Sequence, residues 1–247
     1  MKVVGIIPAR WASTRFPGKP LASIAGRTMI ARVVERARGA RRLDAVIVAT
    51  DHDGIARAAE GAGARVVMTD PALPSGTDRI AAAAKEIDCG WVLNVQGDEP
   101  LLPPENIDLL AAHLVANPSC RMATLRSPID RQADLENPNV VKVVCDRFGQ
   151  ALYFSRSAVP HFRNRGTAFR HIGLYGYRRD YLFEFASTPE GELERIEGLE
   201  QLRALENGVA IEVLETALSS PAVDSPADAE EVERRILRDG DAPGMGE

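Results

Sequence analysis

The sequence predicts an α/β fold: a doubly wound, mostly parallel sheet carrying a smaller strand-rich lobe. Three observations lead there. Apolar, β-branched runs alternate with helix-period segments through the first half of the chain. The segments following those runs gather glycines, cations and acids, as loops at the carboxyl ends of parallel strands do. A length of 247 residues with 45% hydrophobic content is enough for one large α/β domain with a sizeable core.

Taken in order, Val3–Ile7 reads as a buried strand, and Thr28 as the N-cap of a helix. That helix places Met29, Ile30, Val33, Val34 and Ala37 on one face and closes at Gly39. Ala45–Ala49 is a second strand, followed by an Ala-rich helix over Asp53–Ala62; Arg65–Met68 is a third. Thr77 is expected to cap a helix running through Ile80, Ala83, Ala84 and Ile87. Trp91–Val95 is a fourth strand, and Pro104–Ala116 a helix with proline in its first turn. The intervening loops, Pro8–Leu21, Thr50–Asp53, Thr69–Asp78 and Gln96–Pro100, should therefore converge on one crevice.

The pattern changes near residue 120. Met122–Arg126, Val140–Cys145, Ala151–Ser155 and Ile172–Tyr177 read as strands without long helices between them, which predicts a mixed or antiparallel extension over 120–180. A long helix over Gly191–Asn207, a strand Ile211–Leu214 and a last helix Ala227–Arg238 follow. The expected organisation is one domain over 1–240, with 120–180 as a strand-rich second lobe and 241–247 as a polar tail.

A formal net charge of −5 argues against general nucleic-acid or membrane binding. Three cysteines without metal-ligand spacing read as reduced, buried thiols. With no signal peptide and no apolar run near the ~18 residues of a membrane span, the expectation is a cytoplasmic protein.

Against this acidic background, residues 1–34 hold six Lys or Arg and no Asp or Glu. The segment PARWASTRFPGKPL, Pro8–Leu21, carries Arg10, Arg15 and Lys19 with one glycine. It is neither a dinucleotide fingerprint, which needs G-x-G-x-x-G, nor a P-loop, which needs two glycines before the lysine. What remains is a loop that surrounds an anion with cations. Cleaving a nucleoside triphosphate at the α-phosphorus builds charge on pyrophosphate, where fixed cations stabilise the transition state. Asp98, in NVQGDEP after the fourth strand, suits Mg²⁺ held through a carboxylate, water and phosphates; strand alternation turns Glu99 elsewhere. Ser75, Gly76 and Thr77 open a helix whose free N–H groups face the crevice. Each feature also has an ordinary structural reading: solvated loop cations, a turn acid, a Ser/Thr cap.

The motifs PARWASTRFPGKPL, SGTDR, NVQGDEP, RHIGLYGYR, IEGLEQLR and VDSPAD occur in this order. In them the chain closely resembles the 3-deoxy-manno-octulosonate (Kdo) cytidylyltransferases over nearly its whole length, to about residue 238. The resemblance implies a glycosyltransferase-A-like fold, Mg²⁺ dependence, a homodimer, and transfer of CMP from CTP to Kdo for lipopolysaccharide synthesis. It implies that Ala9, Arg10, Ser13, Arg15, Lys19, Ser75, Gly76 and Thr77 bind nucleotide, with Arg10 and Lys19 catalytic. It implies that Asp98 and Asp224 are catalytic and hold metal, and that Gln96, Arg156, His171, Tyr175, Glu200 and Gln201 bind the sugar. Two departures stand out: Leu73-Pro74 precedes SGTDR where relatives usually have His, and Pro160–Arg170 is shorter than usual. A related acidic sugar, of the 8-amino-Kdo or sialic acid type, and a non-catalytic sugar-nucleotide binder are the alternatives.

Overall fold

A computed structural model describes residues 2–12 and 16–239. Its nine-stranded sheet is built in two halves. The parallel half contains β1 (Val3–Ala9), β4 (Ala45–Thr50), β5 (Arg65–Met68) and β6 (Trp91–Asn94). A small hairpin, β2 (Ser23–Ile24) with β3 (Arg27–Thr28), stands apart. The crossovers are α1 (Met29–Arg38), α2 (Asp53–Gly61) and α3 (Gly76–Ala84). Beyond β6 come α4 (Pro104–Ala116), β7 (Met122–Pro128), α5 (Gln132–Glu136), β8 (Lys142–Cys145), β9 (Ala151–Ser155) and β10 (Phe169–Arg178). The chain ends with α6 (Arg179–Ser187), α7 (Glu192–Glu197), α8 (Leu202–Glu206), β11 (Ile211–Glu215) and α9 (Pro226–Asp239).

The strand order is β11-β7-β10-β6-β1-β4-β5. β10 runs antiparallel to both β6 and β7, so the extension predicted from residue 120 continues the same sheet. The β8–β9 hairpin branches from β10 through Arg170 and Lys142.

Period-2 alternation in β1 sorts the core into two layers. Val3, Ile7 and Ala9 face α1, α2, α4 and α9. Val4 and Ile6 face α3, α6, α8 and the β8–β9 hairpin. Burial on both faces explains why β1, β4 and β6 read as continuous apolar runs rather than alternating ones, while edge strand β5 leaves Arg65 and Met68 exposed.

Several expected features differ in detail. Thr28 does cap α1, accepting from the Ala31 amide at 3.4 Å. The cap of α3, however, is Ser75 rather than Thr77: Ser75 accepts from the Asp78 amide at 3.1 Å and donates to Asp78 Oδ2 at 2.7 Å. The helix expected over Gly191–Asn207 is two short ones, because Gly198 takes the left-handed conformation (φ 62°) and ends α7. Of the three thiols only Cys120 is fully buried; Cys89 and Cys145 are half-buried. No described helix is long and apolar enough to cross a membrane.

Candidate active site

The carboxyl ends of β1, β4, β5 and β6 open on one crevice, and residues far apart in sequence meet there. Gly18 (φ 69°) turns the chain into a 3-10 turn over Lys19–Leu21 that aims Lys19 inward. The Lys19 ammonium donates to Asp98 Oδ2 at 2.8 Å, to the Val223 carbonyl at 2.7 Å and to Asp224 Oδ1 at 3.4 Å. Lys19 is the least exposed of the three side chains, at 15% against 28% for Asp98 and 46% for Asp224, so both carboxylates keep a face toward solvent.

The frame around this triad is fixed by backbone contacts. The Val223 amide donates to the Asp98 carbonyl at 2.8 Å, pinning the segment before α9 to the loop after β6. Asp228 accepts from the Asp224 and Ser225 amides at 3.0 and 2.7 Å. Burial pushes the Asp228 carboxyl up, but the bonds from Ser225 and from these amides hold it below the usual carboxylate range. A Cβ at Gly97 would lie 2.8 Å from the Pro8 carbonyl oxygen, so glycine is required for the β1 and β6 loops to approach this closely.

Two further groups anchor the first loop. Arg79, 1% exposed, donates to Asp51 Oδ2 at 3.0 Å and to Thr69 Oγ1 at 2.5 Å, tying α3 to the ends of β4 and β5. Asp51 Oδ1 accepts from the Trp11 amide at 3.0 Å, and the Trp11 ring stacks on His52 with centroids 4.2 Å apart. Ala9 is buried at the end of β1, and Arg10 beside it is exposed to the crevice loop. Ser13 and Arg15 lie outside the described residues.

The remaining predicted residues lie on α3, on β10 and in the segments after β6 and α7. Thr77 Oγ1 donates to Glu200 Oε2, joining the SGTDR helix to the loop between α7 and α8. Burial raises the Glu200 carboxyl above the usual range, and the Thr77 bond partly offsets it. Glu200 and Gln201 diverge: Gln201 is 4% exposed and its Nε2 is buried without a hydrogen-bond partner. His171 and Tyr175, on β10, have ring centroids 5.2 Å apart, and Thr124 Oγ1 lies 3.0 Å from His171 Nε2. Burial pushes the His171 imidazole down to about 3, so it is neutral at physiological pH. Gln96 Nε2 donates to Asn94 Oδ1 at 3.1 Å, and Asn94 is the register partner of Tyr175.

Arg156 is placed differently from the rest. Its guanidinium donates to the carbonyls of Glu197 (2.7 Å), Pro138 (3.0 Å) and Gly198 (3.3 Å), bracing the α7–α8 turn against the end of β9. Glu99 turns away from Asp98 as strand alternation predicted. It is buried, accepts from Ser220 Oγ at 2.9 Å, and burial together with the Asp98 charge pushes its carboxyl up to about 7.

A profile of the cytidylyltransferase family matches residues 4–212, the larger part of the chain. The chain belongs to the cytidylyltransferase family. Membership makes it a nucleotidyltransferase, which suits a crevice that joins a lysine to two partly open carboxylates. Among its relatives, the 3-deoxy-manno-octulosonate cytidylyltransferase of Geobacter sulfurreducens is 51% identical, across 96% of this chain and 100% of that protein. The protein of the same name from Solibacter usitatus is 48% identical, across 99% and 98%. A solved CMP:2-keto-3-deoxy-manno-octonic acid synthetase complexed with CTP superposes at a TM-score of 0.92 with 38% identity, covering 96% of this chain and 99% of that one. A cytidylyltransferase from Leptospira borgpetersenii shares the fold, at a TM-score of 0.64 and 18% identity.

Sequence reasoning passed over Asp51, Arg79 and Trp11 as anchors of the cationic loop. The available signal was Arg79 closing SGTDR: a guanidinium in the first turns of an otherwise Ala-rich helix needs an acidic partner, and Asp51 follows β4.

Proposed function

We propose that this cytidylyltransferase moves CMP from CTP to the anomeric hydroxyl of Kdo, giving CMP-Kdo and pyrophosphate. The observation that carries this reading is the meeting of Lys19, Asp98 and Asp224 in the crevice of a chain alike, end to end, to Kdo cytidylyltransferases. In the reaction the sugar oxygen bonds to the α-phosphorus and gives up its proton to solvent as the bridging oxygen to the β-phosphorus departs with pyrophosphate. Arg10, Arg15 and Lys19 would line the triphosphate path, and charge moving onto pyrophosphate favours cations placed there.

The two carboxylates fit Mg²⁺. Both are oxygen donors, both reach the same ammonium, and each keeps a solvent-facing side. Asp98 and Asp224 would hold the ion, whose chemistry is to neutralise phosphate charge and orient the displacement. Lys19 keeps the paired carboxylates from repelling one another. The same ammonium, beside both carboxylates, would also be placed to reach phosphate oxygens of a bound triphosphate.

On the nucleotide side, Ala9, Ser13, Ser75, Gly76 and Thr77 would complete the cradle, with the start of α3 offering amides. Gln96, His171, Tyr175, Glu200 and Gln201 would face the sugar; the unpartnered Gln201 amide is a donor suited to a hydroxyl or carboxylate. Arg156 would act at the rim through its hold on the α7–α8 turn. The Thr77–Glu200 bond couples the nucleotide and sugar halves. Residues 1–240 would form one catalytic domain, with 120–180 serving sugar binding and a homodimer contact. Exposed Phe148 and Leu152 on the β8–β9 hairpin support that contact. Three free thiols fit a reducing cytoplasm.

The test is pyrophosphate release with CTP and Mg²⁺ across Kdo, 8-amino-8-deoxy-Kdo and sialic acid. Turnover strongest with Kdo supports the reading; turnover with none of the Kdo-type sugars sinks it.

A further inference from the structure

A second polar cluster sits at the other end of the sheet. Met122 pairs with both Ile211 and Tyr177, and Tyr177 pairs with Val92, so the starts of β7 and β11 lie beside the amino end of β6. The crevice loops leave from the opposite end. At this base the last turn of α4, the following loop and β11 bring together His113, Cys120 and Glu212. Their ligand atoms all lie within 4.8 Å of one another, and among the described residues this is the one such group of three. His113 Nε2 is 2.6 Å from Glu212 Oε2.

We propose that His113, Cys120 and Glu212 form a binding site for a divalent transition ion, zinc in the first instance. One thiolate, one imidazole and one carboxylate are a borderline-soft donor set of the kind zinc takes, and they exclude the hard, all-oxygen coordination of magnesium. Zinc bonds of ~2.0 Å to nitrogen or oxygen and ~2.3 Å to sulfur place tetrahedral ligands ~3.5 Å apart, within an ångström or so of the spread here. His113 Nε2 faces Glu212 and is the nitrogen nearest the other donors; Nδ1 accepts from the Asn117 side-chain amide at 3.3 Å, so the ring proton now sits on Nε2. Zinc binding there requires that proton to move to Nδ1, with the Asn117 side chain turning its carbonyl oxygen toward it. The carboxyl end of α4 adds a field favourable to a cation. His113 and Glu212 are 21% and 33% exposed, which gives an entry path and room for water in the fourth position, while Cys120 closes the back.

In the metal-free chain the Cys120 thiol is held protonated, which is the cost an ion has to overcome. Burial first, then the Glu212 carboxylate, pushes the Cys120 thiol up to about 12, and the Arg178 guanidinium opposes them only weakly. Arg178 is itself committed to Asp180, donating from Nε at 2.6 Å. A dication between Cys120 and Glu212 reverses that local field and stabilises the thiolate. Its charge matches one thiolate plus one carboxylate, and binding releases the thiol proton to solvent.

Cobalt(II) titration tests the site, because a thiolate-to-cobalt charge-transfer band reports sulfur ligation directly. An Asp98→Asn background removes competition from the crevice. We expect one equivalent bound with that band, displaced by zinc. Cys120→Ser should abolish the band. His113→Gln, at a partly exposed position that keeps the fold testable, should weaken zinc more than the ~10–100-fold typical of losing an outer-sphere partner. A saturating titration that shows no thiolate band overturns the proposal. So does a band that survives Cys120→Ser, which would place the ligand at Cys89 or Cys145.

Discussion

Asp51→Ala tests how the cationic loop is held. In the wild type, Arg79 is 1% exposed and its ion-pair partner among the described residues is Asp51, at 3.0 Å. Removing the carboxylate leaves a guanidinium buried among neutral acceptors, Thr69 Oγ1 and the Asp70 carbonyl. Breaking a buried pair from one side costs about 3–5 kcal/mol. The Trp11 amide, which also loses its acceptor, is exposed and rehydrates, so it adds little. For a chain of this size that loss lowers Tm by ~6–20 °C. Denaturant unfolding followed by fluorescence and circular dichroism measures it. Replacing both partners with apolar groups, as Asp51→Leu with Arg79→Met, should recover at least about 1 kcal/mol relative to Asp51→Ala. A loss under about 1 kcal/mol for Asp51→Ala, or strict additivity in the double variant, would refute the view that this pair anchors the loop.

Asp98→Asn should keep native circular dichroism while lowering kcat by on the order of 10²-fold or more, as steady-state pyrophosphate release will read. Lys19→Met should lower kcat by ~10²–10³-fold, with the larger effect on turnover rather than on KM for the sugar. Thr77→Val removes a bond that lowers the Glu200 pKa, so the acid limb of kcat/KM should move to higher pH; an unmoved limb would take Glu200 out of the titrating set. His171 titrates at about 3 in the folded chain against an ordinary 6.5. A depressed base is fully compatible with the fold above 6.5, and its contribution is lost as pH falls from 6.5 toward 3. Stability should therefore drop by about 1.4 kcal/mol per pH unit from this group within that window. His171→Gln should flatten the slope by that amount in denaturation curves at pH 6 and 5.

The parallel half of the fold was legible because its central strands β1, β4 and β6 are buried and its helices carry apolar stripes with identifiable ends. Thr28, Gly39 and Pro104 mark real ends. The helix break at Gly198 was not read from the sequence because the apolar spacing continues across it; the left-handed glycine ends α7 there, and Arg156 braces the resulting turn. Thr77 looked like a cap because it precedes an Ala-rich run, but Ser75 takes that role and frees the Thr77 hydroxyl for Glu200. At the site, residue type was readable and convergence was not. Lys19 meets acids 79 and 205 positions away, and Thr77 a glutamate 123 away. Nothing local encodes those distances; topology does. The His113–Cys120–Glu212 cluster stayed hidden for the same reason, since β11 returns to the base of the sheet almost a hundred residues after α4.

Phosphorus NMR of the complete reaction tests the central claim most directly. With CTP, Mg²⁺ and Kdo, the account predicts that the triphosphate signals give way to one sugar phosphodiester and one pyrophosphate in equal amounts. Both should depend on Asp98. Intact CTP in the presence of Kdo, or nucleotide hydrolysis without a phosphodiester, would contradict it.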